Sequence, residues 1–166
     1  MFSVIMAGGC AAGGPAGGPG RQASQPRAGS AAPAGHGGKL RALAGRYLAI
    51  AVPANQRLDT EVDGFADQER DDLAAAESDL HAEAATERWF DQRLAEIPFP
   101  AGIAATARAL TSANRSRAQL TDRQARSASL TGLRSLASRH RAADATVEVD
   151  VRLIRRALRL PPPADS

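Results

Sequence analysis

Glu87-Arg-Trp-Phe-Asp-Gln-Arg-Leu-Ala-Glu-Ile-Pro-Phe-Pro-Ala-Gly-Ile103 holds the only Trp of the chain, two of its four Phe and a pair of prolines flanking Phe99. Pro98 and Pro100 lack amide donors and push the residues before them towards extended geometry. A helix arriving through Trp89, Phe90, Leu94 and Ile97 must stop there. A second can start just beyond, because proline is tolerated in a first helical turn. The stretch therefore predicts a helical hairpin with its corner at Ile97-Pro98-Phe99-Pro100, onto which the other segments pack.

On the C-terminal side of the corner, a helical segment is expected from Pro100 to about Arg141. Ile103, Ala107 and Leu110 start its apolar stripe, which resumes at Leu120 and again at Leu130, Leu133 and Ala137. Asn114, Arg117, Thr121 and Gln124 fall where apolar residues belong, and buried polar groups at a helix seam serve mainly to fix register. One unbroken helix here would be ~60 Å long, so Ser127, Ser129 and Gly132 mark the expected bend. The last element, Asp144 to Leu160, has two periods. Val147, Val149, Val151 and Leu153 alternate as a strand would, while Val147, Val151, Ile154 and Leu158 fit one helical face, with Asp144 as a cap. A lone strand would leave its backbone unpaired, so helix is the reading, ended by Pro161-Pro162-Pro163.

On the N-terminal side, Asp67 to Ile97 reads as one helix. Asp67 is its expected N-cap, Glu69, Asp71 and Asp72 lie near the positive helix start, and Leu73, Ala76, Leu80, Ala84, Phe90, Leu94 and Ile97 form the apolar face. Glu87 falls on or beside that face and needs a partner, for which an Arg of the C-terminal half is the natural candidate. Lys39 to Phe65 gives the first helix, with Leu40, Leu43, Tyr47, Ile50, Ala54, Leu58, Val62 and Phe65 in one stripe. Pro53 predicts a kink near Ala49 to Pro53, Asn55 a restart cap and Gly64 an end. The fold class is all-α, an antiparallel bundle of about four helices over residues 39–160. A Gly/Ala/Pro-rich linker without apolar periodicity (11–38) precedes it, and a short tail (161–166) follows.

Hydrophobic residues make up 43% of the 166 but aromatics only 4%, so alanine fills much of the core and each position buries little area. The formal charge of +3 hides an asymmetry. Residues 39–97 carry seven Lys/Arg against thirteen Asp/Glu, and residues 101–166 carry twelve Arg against five Asp/Glu. An acidic hairpin packing on a basic one accounts for this, and a polyanion-binding face is the alternative.

Known catalytic signatures are missing: no Gly-x-Ser-x-Gly, no His-Glu-x-x-His, and no Lys-Ser/Thr after the glycines of 13–20. No catalytic residue, cofactor site or metal site is assigned. The Glu-x-x-His of di-metal bundles is absent, since residues 78–81 read Ser-Asp-Leu-His. Glu77 and His81 share a face as a solvated pair, with His140 elsewhere in the bundle. The arginines of the basic half have no interleaved aromatics for stacking on single strands, so nucleic acid is a weak partner and phosphate contact, including anionic lipid headgroups, is the chemistry left to them.

Met1-Phe-Ser-Val-Ile-Met-Ala-Gly-Gly-Cys10 is an apolar run ending in small residues and the only cysteine. It resembles the end of a bacterial lipoprotein signal peptide, with Ala7, Gly8 and Gly9 before Cys10. The resemblance implies cleavage before Cys10 and a diacylglycerol on its thiol. Ala7 stands where that family has Leu, Val or Ile, and the stretch lacks a basic region and a full apolar core. A start assigned too far downstream would produce the missing basic region and the short apolar core. A single cysteine forms no intrachain disulfide. Tyr47-Leu-Ala-Ile-Ala-Val-Pro-Ala-Asn55, Ile97-Pro-Phe-Pro100 and Leu160-Pro-Pro-Pro163 resemble small lipoproteins of high-GC Gram-positive bacteria, a family without an assigned activity. Lys39 as the only lysine, with Ala, Gly and Pro in excess, fits that origin. The resemblance implies an address and no chemistry: a helical module on the extracytoplasmic face of the cell membrane, joined to membrane lipid through acylated Cys10 and binding an envelope protein whose identity the sequence does not give. The alternative is a cytoplasmic polyanion-binding protein using the basic half.

Overall fold

A computed structural model describes the backbone of residues 35–67 and 72–163, with side chains over 37–60 and 72–163. Five helices follow in order: α1 (Gly35–Asp67), α2 (Leu73–Ala95), α3 (Ala101–Ala125), the short α4 (Leu130–Ser135) and α5 (Ala137–Ala157). No strand occurs among the described residues. α2 packs on α3, α3 on α5 and α1 on α2. The four long helices thus make the antiparallel bundle, with α4 inserted in the last connection.

The proline corner forms as the sequence predicts. α2 ends at Ala95, Phe99 donates its amide to the Ile97 carbonyl (2.8 Å), and the Pro100 carbonyl accepts from Ile103 and Ala104 (both 2.9 Å). Pro100 itself is the extended N-cap of α3, one position before the helix starts. Phe90, Leu94, Ile97, Ile103, Ala107 and Leu110 bring the hairpin into the main apolar cluster.

Other boundaries differ from expectation. α1 begins four residues ahead of Lys39, shortening the linker, and runs past Gly64 to Asp67. It stays helical through Pro53, so Asn55 is a buried mid-helix residue and caps nothing. Ala44 and Ala51 are buried along with Tyr47, Ala54 and Leu58, whereas Leu40, Leu43 and Ile50 are only partly covered. The buried stripe is centred on small residues, which allow a close helix approach. The expectations for Val62 and Phe65, and for Glu69 and Asp71, lie outside the described side chains.

The N-cap of α2 is Asp72, not Asp67, which ends α1. The Asp72 carboxylate accepts from the amides of Ala74 (3.0 Å) and Ala75 (3.2 Å), satisfying two donors that a helix start leaves open. The expected long third segment is cut at Ala125, and α5 starts at Ala137, seven residues before Asp144. Ser129 caps α4 through the Gly132 amide (3.1 Å), and Gln124 donates to the Leu133 carbonyl (3.3 Å), tying the bend to α3. Asp144 is therefore inside a helix and caps nothing.

α5 resolves the ambiguous period. Val147, Val151, Ile154 and Leu158 are buried, while Val149 and Leu153 are about half exposed, as helical spacing requires and strand alternation forbids. Its end is a Schellman turn. The Leu160 amide donates to the Arg155 carbonyl (2.9 Å) and the Arg159 amide to that of Arg156 (3.1 Å). The residue in the left-handed position is Arg159 (φ 57°), where glycine is usual.

The two apolar clusters occupy opposite ends of the bundle. The larger takes the proline corner and the facing parts of α1 and α5; the smaller joins Ala76, Leu80, Ala125 and Leu133. Between them α2, α3 and α5 each turn polar side chains inward: Glu83 and Glu87, Asn114, Arg117 and Thr121, His140 and Asp144, with Ala84 and Ala118 among them.

Candidate functional site

This interior polar layer is the densest collection of chemically capable groups among the described residues. Arg117 sits at its centre, 2% exposed. Its Nη2 donates to Glu83 Oε1 at 3.0 Å. Its Nε lies 2.7 Å from Glu87 Oε1 and 3.0 Å from Asp144 Oδ1, but neither oxygen lies along the N–H, so these two contacts are ion pairs and not aligned hydrogen bonds. One guanidinium from α3 thus faces two carboxylates of α2 and one of α5.

Around it the remaining groups lock the three helices together. His140 Nδ1 stands 3.1 Å from Asp144 Oδ2 and Nε2 2.9 Å from Thr121 Oγ1, with Glu83 Oε1 at 3.8 Å. Thr121 also donates to the Arg117 carbonyl (3.3 Å). Asn114 donates through Nδ2 to both the Glu87 carbonyl and Asp91 Oδ1 (each 3.1 Å).

The electrostatics follow from burial and from the excess of acids over bases. Burial pushes the Glu87 carboxyl up to about 8, helped by Glu83, Asp144 and Asp91 and opposed by the Arg117 charge. Asp91 is pushed up to about 6, again by burial, against the Asn114 hydrogen bond and the Arg115 charge. For Arg117 burial works the other way, but Glu87, Glu83 and Asp144 outweigh it and its pKa rises, so the guanidinium is a permanent cation. At neutral pH Glu87 is mostly the neutral acid, and the Arg117 cation lies between the Glu83 and Asp144 carboxylates. Protonation of Glu87 lowers the excess of buried negative charge that a single guanidinium faces.

Sequence reasoning found half of this layer. Glu87, Asn114, Arg117, Thr121 and Gln124 are buried where the broken stripe placed them, and Glu87 has the predicted arginine partner. Glu83, His140 and Asp144 were missed as its companions. Their signal was there in the i, i+4 pairs Glu83/Glu87 and His140/Asp144, each on one helix face, but Asp144 read as a cap. His81 faces Asp122 of α3 (3.9 Å) and not Glu77. Arg88 of the acidic half pairs with Asp122 of the basic half (2.7 Å), the reverse of the expected polarity. Trp89 and Phe99 are partly buried against the core, Phe90 completely, and Arg57 lies over the Trp89 ring at 4.8 Å. Among the described residues no group of three or more His, Cys, Asp and Glu is placed to hold a metal ion. Cys10 lies outside the described residues.

Tyr47 is a second buried polar group, with its hydroxyl unpartnered among the described residues and its ring edge-on to Phe90. Burial pushes its pKa up to about 12 against the Arg155 charge. An unpartnered hydroxyl contributes nothing to offset its desolvation. Tyr47→Phe is therefore expected to be neutral or to stabilise by up to ~1 kcal/mol in urea unfolding. A clear loss of stability would reveal a partner for the hydroxyl.

Comparison with family models, with curated proteins and with solved structures returns no match. The functional reading therefore rests on this chain's own residues.

Proposed function

We propose that this protein is a non-enzymatic helical module of the bacterial cell envelope, held on the extracytoplasmic face of the membrane by acylated Cys10, where it binds or scaffolds another envelope protein. The observation that carries the reading is Ala7-Gly8-Gly9-Cys10 followed directly by the Gly/Ala/Pro-rich tract. An acylated cysteine, a tether and a compact domain form a consistent series. No helix of the described residues is long and apolar enough to cross a membrane, so in this reading attachment comes from lipid.

The interior layer supports the non-enzymatic part. Glu83, Glu87, Arg117 and His140 are each less than a tenth exposed and are engaged with one another. Such groups fix helix register instead of meeting a substrate. Binding is then a matter of the bundle's outer faces.

Fractionation of cells expressing the gene from its native locus, upstream sequence included, tests the proposal. The protein is expected in the membrane fraction and to be released by detergent but not by salt. Recovery in the cytoplasmic fraction would refute the address.

A further inference from the structure

We propose that the outer face of α5, together with the arginine-lined groove at its C-terminal end, docks onto an anionic phospholipid surface, with headgroup phosphates taken up by Arg152, Arg156 and Arg159. The groove encloses about 580 Å3 between four arginines and the turn Leu160-Pro161-Pro162, and no carboxylate lines it. Arg152, Arg155 and Arg156 recur at i, i+3 and i+4 along α5, and Arg159 joins them from the left-handed turn that ends the helix. Arg155 is the buried member of this set and donates through Nε to the Pro161 carbonyl (2.7 Å), which holds the proline turn against the helix. Arg152 pairs with Glu148, whereas Arg156 and Arg159 are exposed and make no ion pair among the described residues.

Three further observations point to a membrane surface. First, Val149 and Leu153, the exposed large hydrophobic residues of the described chain, are on α5 next to this arginine face. Cationic side chains beside apolar ones on an exposed helix are the pattern of interfacial binding. Second, Arg159 keeps a left-handed backbone that glycine would adopt without strain. The helix dipole favours arginines in a last turn, but it explains neither Arg152, which lies before that turn, nor an arginine in the left-handed position. Third, the start of α1 lies against this same end of the bundle. Gly37, Gly38, Leu40 and Arg41 share a second groove with Leu158 to Leu160. The N-terminal end of α1, from which the sequence leads back to Cys10, thus lies beside the basic face. This orientation rests on the lipid-anchor reading above; the affinity of the surface does not.

The test is co-sedimentation of the full chain, purified without acylation, with vesicles of phosphatidylglycerol and phosphatidylcholine and with vesicles of phosphatidylcholine alone. Binding to the anionic vesicles only is expected, falling steeply as salt rises. Arg156→Gln and Arg159→Gln should each weaken it about fivefold, which corresponds to ~1 kcal/mol per cation at the surface. Arg159→Gly separates docking from folding. It should raise the thermal midpoint by removing backbone strain and still weaken binding about as much as Arg159→Gln; a purely structural residue would do only the first. Equal binding to neutral vesicles, unchanged binding in these variants, or no sedimentation at low salt would overturn the proposal. So would tighter binding of inorganic phosphate or duplex DNA than of anionic vesicles at the same salt. Because the sample is unacylated, its failure would leave the Cys10 reading standing, and an unacylated native protein would leave this surface standing.

Discussion

Arg117→Met is expected to destabilise the protein by about 3–5 kcal/mol, the cost of removing one partner from a buried ion pair. Its loss leaves Glu83, Glu87 and Asp144 in the interior without the cation that pairs with them. Stabilities of small domains are about 5–15 kcal/mol, so the variant sits near the edge of folding. Urea unfolding followed by the fluorescence of Trp89, the only Trp, measures it directly. Arg88→Met, which breaks the partly exposed pair with Asp122, should cost less than ~1 kcal/mol. Combining Arg117→Met with Glu83→Gln, Glu87→Gln and Asp144→Asn should recover much of the loss, because the penalty belongs to uncompensated charge more than to the lost contacts. A small effect of Arg117→Met alone would mean that water reaches the layer.

Stability should also fall as pH rises from 6 to 8, unlike that of most proteins rich in paired carboxylates. Glu87 has an ordinary value of 4.5 and a folded value of about 8. Between these values the folded chain binds a proton that the unfolded chain has released, so unfolding becomes easier as pH climbs. The contribution is complete below pH 4.5 and is lost as pH passes through about 8. Its slope is at most about 1.4 kcal/mol per pH unit. Asp91, raised from 3.8 to about 6, acts in the same direction over its own lower window. The groups facing Glu87 are Arg117 and Asn114 of α3, Glu83 and Asp91 of α2 and Asp144 of α5, with His140 bridging Glu83 and Asp144. Glu87→Gln should flatten the slope above pH 6 and leave the protein at least as stable as the parent at pH 8. Urea midpoints at pH 6, 7 and 8 for both proteins give the answer, and a flat parental profile would contradict a protonated Glu87.

The helices were legible because their signals are local. Two prolines around Phe99 fix a corner, and Val147, Val151, Ile154 and Leu158 fix a helix face whatever surrounds them. Even the break in the α3 stripe was readable, since Asn114, Arg117 and Thr121 occupy core positions of an otherwise amphipathic helix. What lay beyond the sequence is which residues meet across helices. Asp144 looks the same as a cap and as an ion-pair partner until α5 is known to begin at Ala137. Asp67 and Asp72 are equally good cap residues, and the choice depends on where α1 stops. Pro53 should break a helix by its chemistry, yet α1 continues through it because residues on both sides, Ala51, Ala54 and Leu58, are buried in one cluster. The arginine groove was out of reach for the same reason. The i, i+3, i+4, i+7 spacing was present, but only the folded end of α5 brings the Pro161 turn and the start of α1 beside it.

The most direct test of the account is the intact mass of the protein taken from the membrane fraction of cells expressing it from its native locus. The account predicts a mature chain that begins at Cys10 and carries the added mass of a lipid modification. An unmodified chain that retains the residues before Cys10 would contradict it, and the search for function would move from the envelope to soluble polyanions.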